Sequence, residues 1–133
     1  MSNKLTHLQM IQSVISRMAG NSFLLKGWSV TLVSAFFALA ANKPNAKFDS
    51  LAFFPVIMFW TLDGYFLRQE RLFRKLYEKV RKLSENDIDF SMKTIEFESQ
   101  VESWLCTCLS VTLRIFHGTV LLSVIIIIFI LKQ

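Results

Sequence analysis

Proline, cysteine and histidine are scarce in this chain, with two of each among 133 residues. The two prolines are Pro44 and Pro55, and Gly64 is the only glycine between Pro55 and Ser84. With no breaker in that interval, Phe53 to Leu83 reads as one continuous helix. Cys106 and Cys108 stand two positions apart. On a helix such residues do not face each other, so free thiols in a reducing compartment are expected rather than a local disulfide. No His or Cys cluster accompanies them, so no metal site is expected. The chain also lacks a glycine-rich phosphate loop, an HExxH or GxSxG motif, and carboxylates paired at a catalytic spacing. His7 and His117 are isolated and read as structural. These absences predict neither an enzyme nor a cofactor. No apolar h-region precedes the first long apolar run, so no cleavable signal peptide is expected and the chain should insert through its own spans.

What is present is apolar surface in blocks. Hydrophobic residues make up 53% of the chain and mean hydropathy is +0.42, high for a water-soluble domain of this size. The formal charge of +5 flanks the apolar blocks, as orienting charge does in membrane proteins, so nucleic acid is not the partner it suggests.

Residues 1–22 form an amphipathic lead-in with Leu8, Ile11, Ile15 and Met18 on one helical face. It should lie on the membrane surface or pack on the cytoplasmic region, with a break and N-cap at Gly20-Asn21-Ser22. Residues 23–67 form a transmembrane hairpin. Span one, Phe23 to Ala41, covers roughly 28 Å at 1.5 Å per residue, close to a hydrocarbon core of about 30 Å. Gly27, Thr31 and Ala35 fall four apart, as do Ser34 and Ala38. Small residues at this spacing let another helix approach closely. Asn42 to Ser50 reads as a turn in which Pro44 stops the first helix and Asp49 or Ser50 caps the next. Span two runs from about Leu51 to Leu67.

Residues 68–103 form a charged cytoplasmic region. Arg68 to Lys82 carries net +5, and Leu83 to Glu102 carries net −5. The second block is expected to fold back on the first as a helical hairpin, received by the stripe of Leu72, Phe73, Leu76, Tyr77, Val80 and Leu83. Ile88, Phe90, Met92, Ile95 and Phe97 would supply the return contacts. Residues 104–133 form a last helix that starts near Val101, enters the membrane near Arg114, kinks at His117-Gly118 and spans from Ile115 to Leu131. The fold expected is therefore an all-α membrane protein with three transmembrane helices. By the positive-inside rule the N-terminus lies inside and the C-terminus outside, and the second span extends into the cytoplasmic hairpin.

Asp63 is the most informative single residue. An ionisable group inside an apolar segment faces protein, water or a partner charge. Two readings are open: Asp63 is a structural acid about a turn from the interface, paired with a basic neighbour, or it is a pore or gating group, with Lys26, Arg68 or Arg114 as its counter-charge. Arg68, Arg71, Arg74 and Lys75 read either as a solvated face that sets topology or as candidates for holding anionic lipid or an anionic nucleotide at the cytoplasmic interface. Helix-packing candidates are Gly27, Thr31, Ser34, Ala35 and Ala38 on the first span and Leu72, Phe73, Leu76 and Val80 on the second helix.

Arg17-Met18, Asn21-Ser22-Phe23, Lys26-Gly27-Trp28, Thr31-Leu32, Phe59-Trp60, Leu62-Asp63, Tyr65 and the run Leu67-Arg68-Gln69-Glu70-Arg71-Leu72-Phe73-Arg74 with Leu76-Tyr77 form a pattern over most of the chain. Phe90-Ser91-Met92 and Phe116-His117-Gly118 continue it. The pattern resembles a family of small bacterial multi-span membrane proteins found beside anti-phage defence genes, and some similar proteins form homo-oligomers. The resemblance implies a self-associating, membrane-perturbing effector of a defence or toxin system in the bacterial inner membrane. Two other readings remain open. One is a non-catalytic anchor that recruits a soluble partner to the Phe73/Leu76/Val80 stripe, and the other is a receptor for a nucleotide signal.

Overall fold

The computed structural model of the chain describes residues 2–42 and 46–133. Among them there is no strand. The elements are helix α1 (Asn3–Asn42), short helix α2 (Ala46–Leu51), helix α3 (Phe53–Lys82), short helix α4 (Trp104–Cys108) and helix α5 (Val111–Leu131), with 3-10 turns at Glu85–Asp87 and Ile95–Gln100. Three helical stretches are long and apolar enough to cross a membrane: α1, Asp49–Lys82 and α5. Their apolar residues point outward as well as inward. Phe23 on α1, Phe54 on α3 and Phe129 on α5 are all exposed, as are Ile125, Ile126 and Ile130. Apolar surface on this scale suits lipid as the solvent and not water.

α1 and α3 are the most extensively paired helices, and they organise the rest. Two apolar clusters lie along their seam. In the first, Ile11 and Ile15 of α1 meet Leu72, Leu76 and Val80 of α3, with Phe97 closing over them. In the second, Val33 of α1 meets Ala52, Val56 and Val124, the last from α5. A polar layer containing Asp63 separates the two.

The expected break at Gly20-Asn21-Ser22 is absent, and α1 runs through it. A glycine in a helix interior costs only about 1 kcal/mol relative to alanine. Against that small cost, α1 is held to α3 on both sides of Gly20, by Ile11 and Ile15 before it and by Ser22 and Lys26 after it. The lead-in is therefore the first half of a helix that continues as span one. The turn at 43–45, Pro44 included, lies outside the described residues. Neither Asp49 nor Ser50 caps α3. Both lie within α2, and the residue before α3 is Ala52, itself in helical conformation with no side-chain cap.

The return segment is not a second α-helix. After Leu83 the chain makes two 3-10 turns joined by irregular backbone. Local side-chain bonds explain this. Asp89 Oδ1 accepts from the Ser91 amide at 3.0 Å, and Ser91 Oγ accepts from the Lys93 amide at 3.4 Å. Such bonds offer the backbone an alternative to helix. Phe90 sits at φ 55, in the left-handed region that costs a bulky residue strain. Of the expected return contacts, Phe97 is buried and Ile88 and Met92 are partly so, whereas Ile95 is 75% exposed and Phe90 is also exposed. The segment lies on α3, where Lys79 pairs with Glu96 at 2.7 Å, and it is tied also to the start of α1. Glu85 accepts from the Asn3 and Lys4 amides, which satisfies unpaired donors at a helix N-terminus. His7, fully buried, bonds the Ser91 carbonyl at 3.0 Å.

The last helix does not start near Val101. The chain breaks at Leu109–Ser110, and α4 is a separate turn lying on α3. Trp104 Nε1 donates to the Thr61 carbonyl at 3.0 Å, and Trp60 Nε1 donates to the Cys108 carbonyl at 2.7 Å. These bonds pin α4 at both ends. α5 then runs as one helix through His117 and Gly118.

Candidate functional site

The polar layer is built from three helices that meet at one level. Counting back from their apolar ends, Lys26 lies 16 residues before Asn42, Asp63 lies 12 after Leu51, and His117 lies 14 before Leu131. At 1.5 Å per residue these are depths of roughly 18–24 Å, so antiparallel packing brings the three together. Asp63 and His117 are fully buried. Asp63 Oδ2 accepts from Lys26 Nζ at 2.6 Å and from His117 Nε2 at 2.7 Å. Asp63 Oδ1 accepts from the Ser22 hydroxyl, which in turn accepts from Lys26 Nζ at 2.9 Å. Both carboxylate oxygens are thus occupied. A carboxylate only accepts, so the partner assigns a proton to His117 Nε2.

Aromatic rings close the site. Trp60 stacks on His117 with centroids 5.7 Å apart and planes at 13°. Phe116 meets His117 edge-on at 5.1 Å, and Lys26 Nζ lies 5.8 Å from the Phe116 centroid. α4 covers the same level. Gly64 faces Cys108, and a Cβ on Gly64 would sit 2.2 Å from Cys108 Sγ and 3.4 Å from its Cα. This close approach gives a direct prediction. Gly64→Ala should destabilise the chain by about 1–3 kcal/mol through overpacking, read as a lower melting temperature in detergent. Cys108→Ala in the same chain should restore most of the loss, because it removes the sulfur that the new methyl meets.

Of the sequence candidates, Lys26 pairs with Asp63, while Arg114 is exposed and stands outside the group. Arg68 donates through Nε to the Glu102 carbonyl at 3.1 Å. Arg71 faces Glu102 at 3.7 Å, and Arg74 pairs with Glu70 at 2.7 Å on its own helix. Lys75 is exposed and lies with Arg71, Arg74 and Gln100 along a shallow cleft of about 280 Å³. Leu72, Leu76 and Val80 are buried and Phe73 packs against them, so the stripe is covered by α1 and Phe97. Gly27, Thr31, Ser34, Ala35 and Ala38 do not pack within the chain. All are exposed, and the buried side of α1 is Ser22, Lys26, Ser29, Val33 and Ala40. The reason is helical phase: at 100° per residue the small residues lie on the side of α1 away from α3.

Sequence reasoning missed His117 and Ser22 as partners of Asp63. The signal for His117 was available: it too is a titratable residue inside an apolar run, at a depth matching Asp63. Among the described residues no three His, Cys, Asp or Glu side chains converge in a way that could hold a metal ion. Comparison of the chain with family models, with curated proteins and with solved structures finds no match.

Proposed function

We propose that the chain is a multi-pass protein of the bacterial inner membrane that self-associates and perturbs the membrane as the effector of an anti-phage defence or toxin system. In this reading the N-terminus and residues 68–103 face the cytoplasm, and the C-terminus lies outside. The basic residues on that side, from Arg68 to Lys82, support this orientation. The observation that carries the reading is the Asp63–Lys26–His117–Ser22 cluster, closed within one chain inside the spans. A strut needs no ionisable triad at that depth, and intramembrane ionisable groups mark function by default. Closed, the cluster hides its charge. Opened, it leaves Asp63, Lys26 and His117 facing lipid, where only water or other copies of the chain satisfy them. The open small-residue face of α1 is where a second copy approaches most closely.

The anchor reading is weakened because its docking stripe is occupied by Ile11, Ile15 and Phe97. Of the four basic residues of the receptor reading, Arg71 and Arg74 are paired with Glu102 and Glu70, whereas Arg68 bonds only a backbone carbonyl and Lys75 makes no ion pair among the described residues.

The test is inducible expression of this chain alone in a bacterium, read with a membrane-potential dye. Wild type should depolarise the cells, and Asp63→Asn should depolarise them further at matched membrane amounts. A membrane that holds its potential with both chains inserted at matched levels defeats the effector reading. Co-purification of a soluble partner under those conditions supports the anchor.

A further inference from the structure

Beyond the spans, α1 and α3 leave an open groove of about 720 Å³. Met10, Val14 and Met18 of α1, Phe73 of α3 and Met92 of the return segment supply its apolar lining, and Arg17 stands among them. Arg17 is exposed and makes no ion pair among the described residues. Methionine-lined surfaces adapt to the partner that seats on them. Met18 and Met10 lie 24 and 32 residues before Asn42, roughly 36–48 Å from that end at 1.5 Å per residue. A hydrocarbon core of about 30 Å does not reach so far, so lipid chains are not the occupant.

The same chain carries a surface that complements the groove. The 3-10 turn Ile95–Gln100 directs Phe97 inward and Glu96 onto Lys79. Residues three apart eclipse in such a turn, so Ile95 and Glu98 share its outer side. Ile95 is 75% exposed, and Glu98 is exposed with no ion pair among the described residues. One exposed isoleucine by itself needs no explanation. Here it stands beside an unpaired acid, as Val14 stands beside an unpaired base. Spacing and order agree as well. Val14 to Arg17 is about 4.5 Å along α1, and Ile95 to Glu98 is about 6 Å along the turn. α1 runs from Val14 through Arg17 into its span, and the return segment runs from Ile95 through Glu98 to α4, which is pinned beside Thr61. In each pair the apolar residue is the one farther from the spans. Lys79, which holds the turn through Glu96, lies 28 residues beyond Leu51, and Val14 lies 28 before Asn42. Both are thus roughly 42 Å from the apolar ends of their helices.

We propose that the return segment of one copy seats in the groove of the next, with Ile95 among Met10, Val14 and Met18 and with Glu98 on Arg17. The two surfaces differ, so the contact is heterologous and leaves a free groove and a free turn for further copies. Copies standing side by side in one bilayer hold their axes parallel, and a contact between them requires surfaces at equal levels. The face beneath the groove permits the approach. Eighteen residues make five helical turns, so Gln9, Ser13 and Arg17 lie directly in line with Gly27, Thr31 and Ala35 on the continuous α1. One side of α1 presents the groove outside the membrane and small residues within it. This contact deepens the self-association proposed above and rests on that reading, and it names the surfaces that carry it.

The experiment uses full chains in bacterial membranes. Each chain carries Cys106→Ser, which removes the exposed thiol and leaves only the buried Cys108. One cysteine is then added, Val14→Cys in one chain or Ile95→Cys in another. Mild oxidation should give a cross-linked dimer where both chains are present and none where either is alone. Arg17→Glu in the first chain, or Glu98→Arg in the second, should lower the yield about two- to fivefold, the weight of an exposed ion pair, and the two changes together should restore it. None of the four positions is buried, so all variants should insert at matched amounts. Cross-linking by either chain alone overturns the proposal, because like surfaces would then meet. So does a mixture that stays monomeric at matched amounts, a yield that the charge changes leave unmoved, or a Val14→Cys chain trapped on a soluble protein instead. The ordered cross-link in cells that keep their membrane potential would defeat the effector reading alone.

Discussion

Asp63→Ala is expected to lower the unfolding free energy by about 3–5 kcal/mol, the cost of removing one member of a buried ion pair. The loss exceeds that of a single hydrogen bond for a stated reason. Asp63 receives Lys26, His117 and Ser22, so its removal strands donors from α1 and α5 together. Lys26→Met should cost less, because Asp63 keeps His117 and Ser22. The double substitution Asp63→Ala/Lys26→Met should cost less than the sum of the two, since removing both charges removes the burial penalty with the attraction. Reversible unfolding in mixed micelles at fixed composition measures all three. Strict additivity would mean that Lys26 and Asp63 do not interact in the folded chain.

The second large effect is expected outside the spans. Leu76 is 3% exposed and sits among Ile11, Ile15, Leu72, Val80 and Phe97. Leu76→Ala should cost about 2–5 kcal/mol, the lost transfer energy plus the cavity that remains. Because that cluster joins the first half of α1 to the far half of α3, its loss should also free the return segment. Limited proteolysis should then cut between Leu83 and Ser103 faster in the variant than in wild type. Ile95→Ala, at a residue 75% exposed on that segment, is the contrast and should stay within about 0.5 kcal/mol of wild type.

Why some of this was legible in the sequence and some was not follows from the range of the forces involved. The unbroken course of α3 was readable because it depends on local chemistry. No proline interrupts the helix after Pro55, and Leu72, Leu76 and Val80 recur at the helical period. The three long apolar helices were readable for the same reason, since length and composition determine them. The course of the return segment was misjudged because charge balance between two blocks says that they meet, not in which conformation. There, the side chains of Asp89 and Ser91 settled the backbone locally against a helix.

The polar cluster marks the boundary most clearly. That Asp63 needs a partner follows from the cost of a lone charge among apolar residues, and the sequence alone determined that much. Which partner it takes is a matter of register between helices far apart in the chain: Lys26 is 37 positions away and His117 is 54. Arg68 and Arg114 were equally eligible by charge. Only the tertiary structure decided among them, because the packing of α1 and α5 on α3 sets which side chains share a level and a face, and a hydrogen-bonded ion pair needs its nitrogen and oxygen within about 4 Å. The continuity of α1 through Gly20 was decided the same way, by contacts with α3 on both sides of a residue whose local preference was to break.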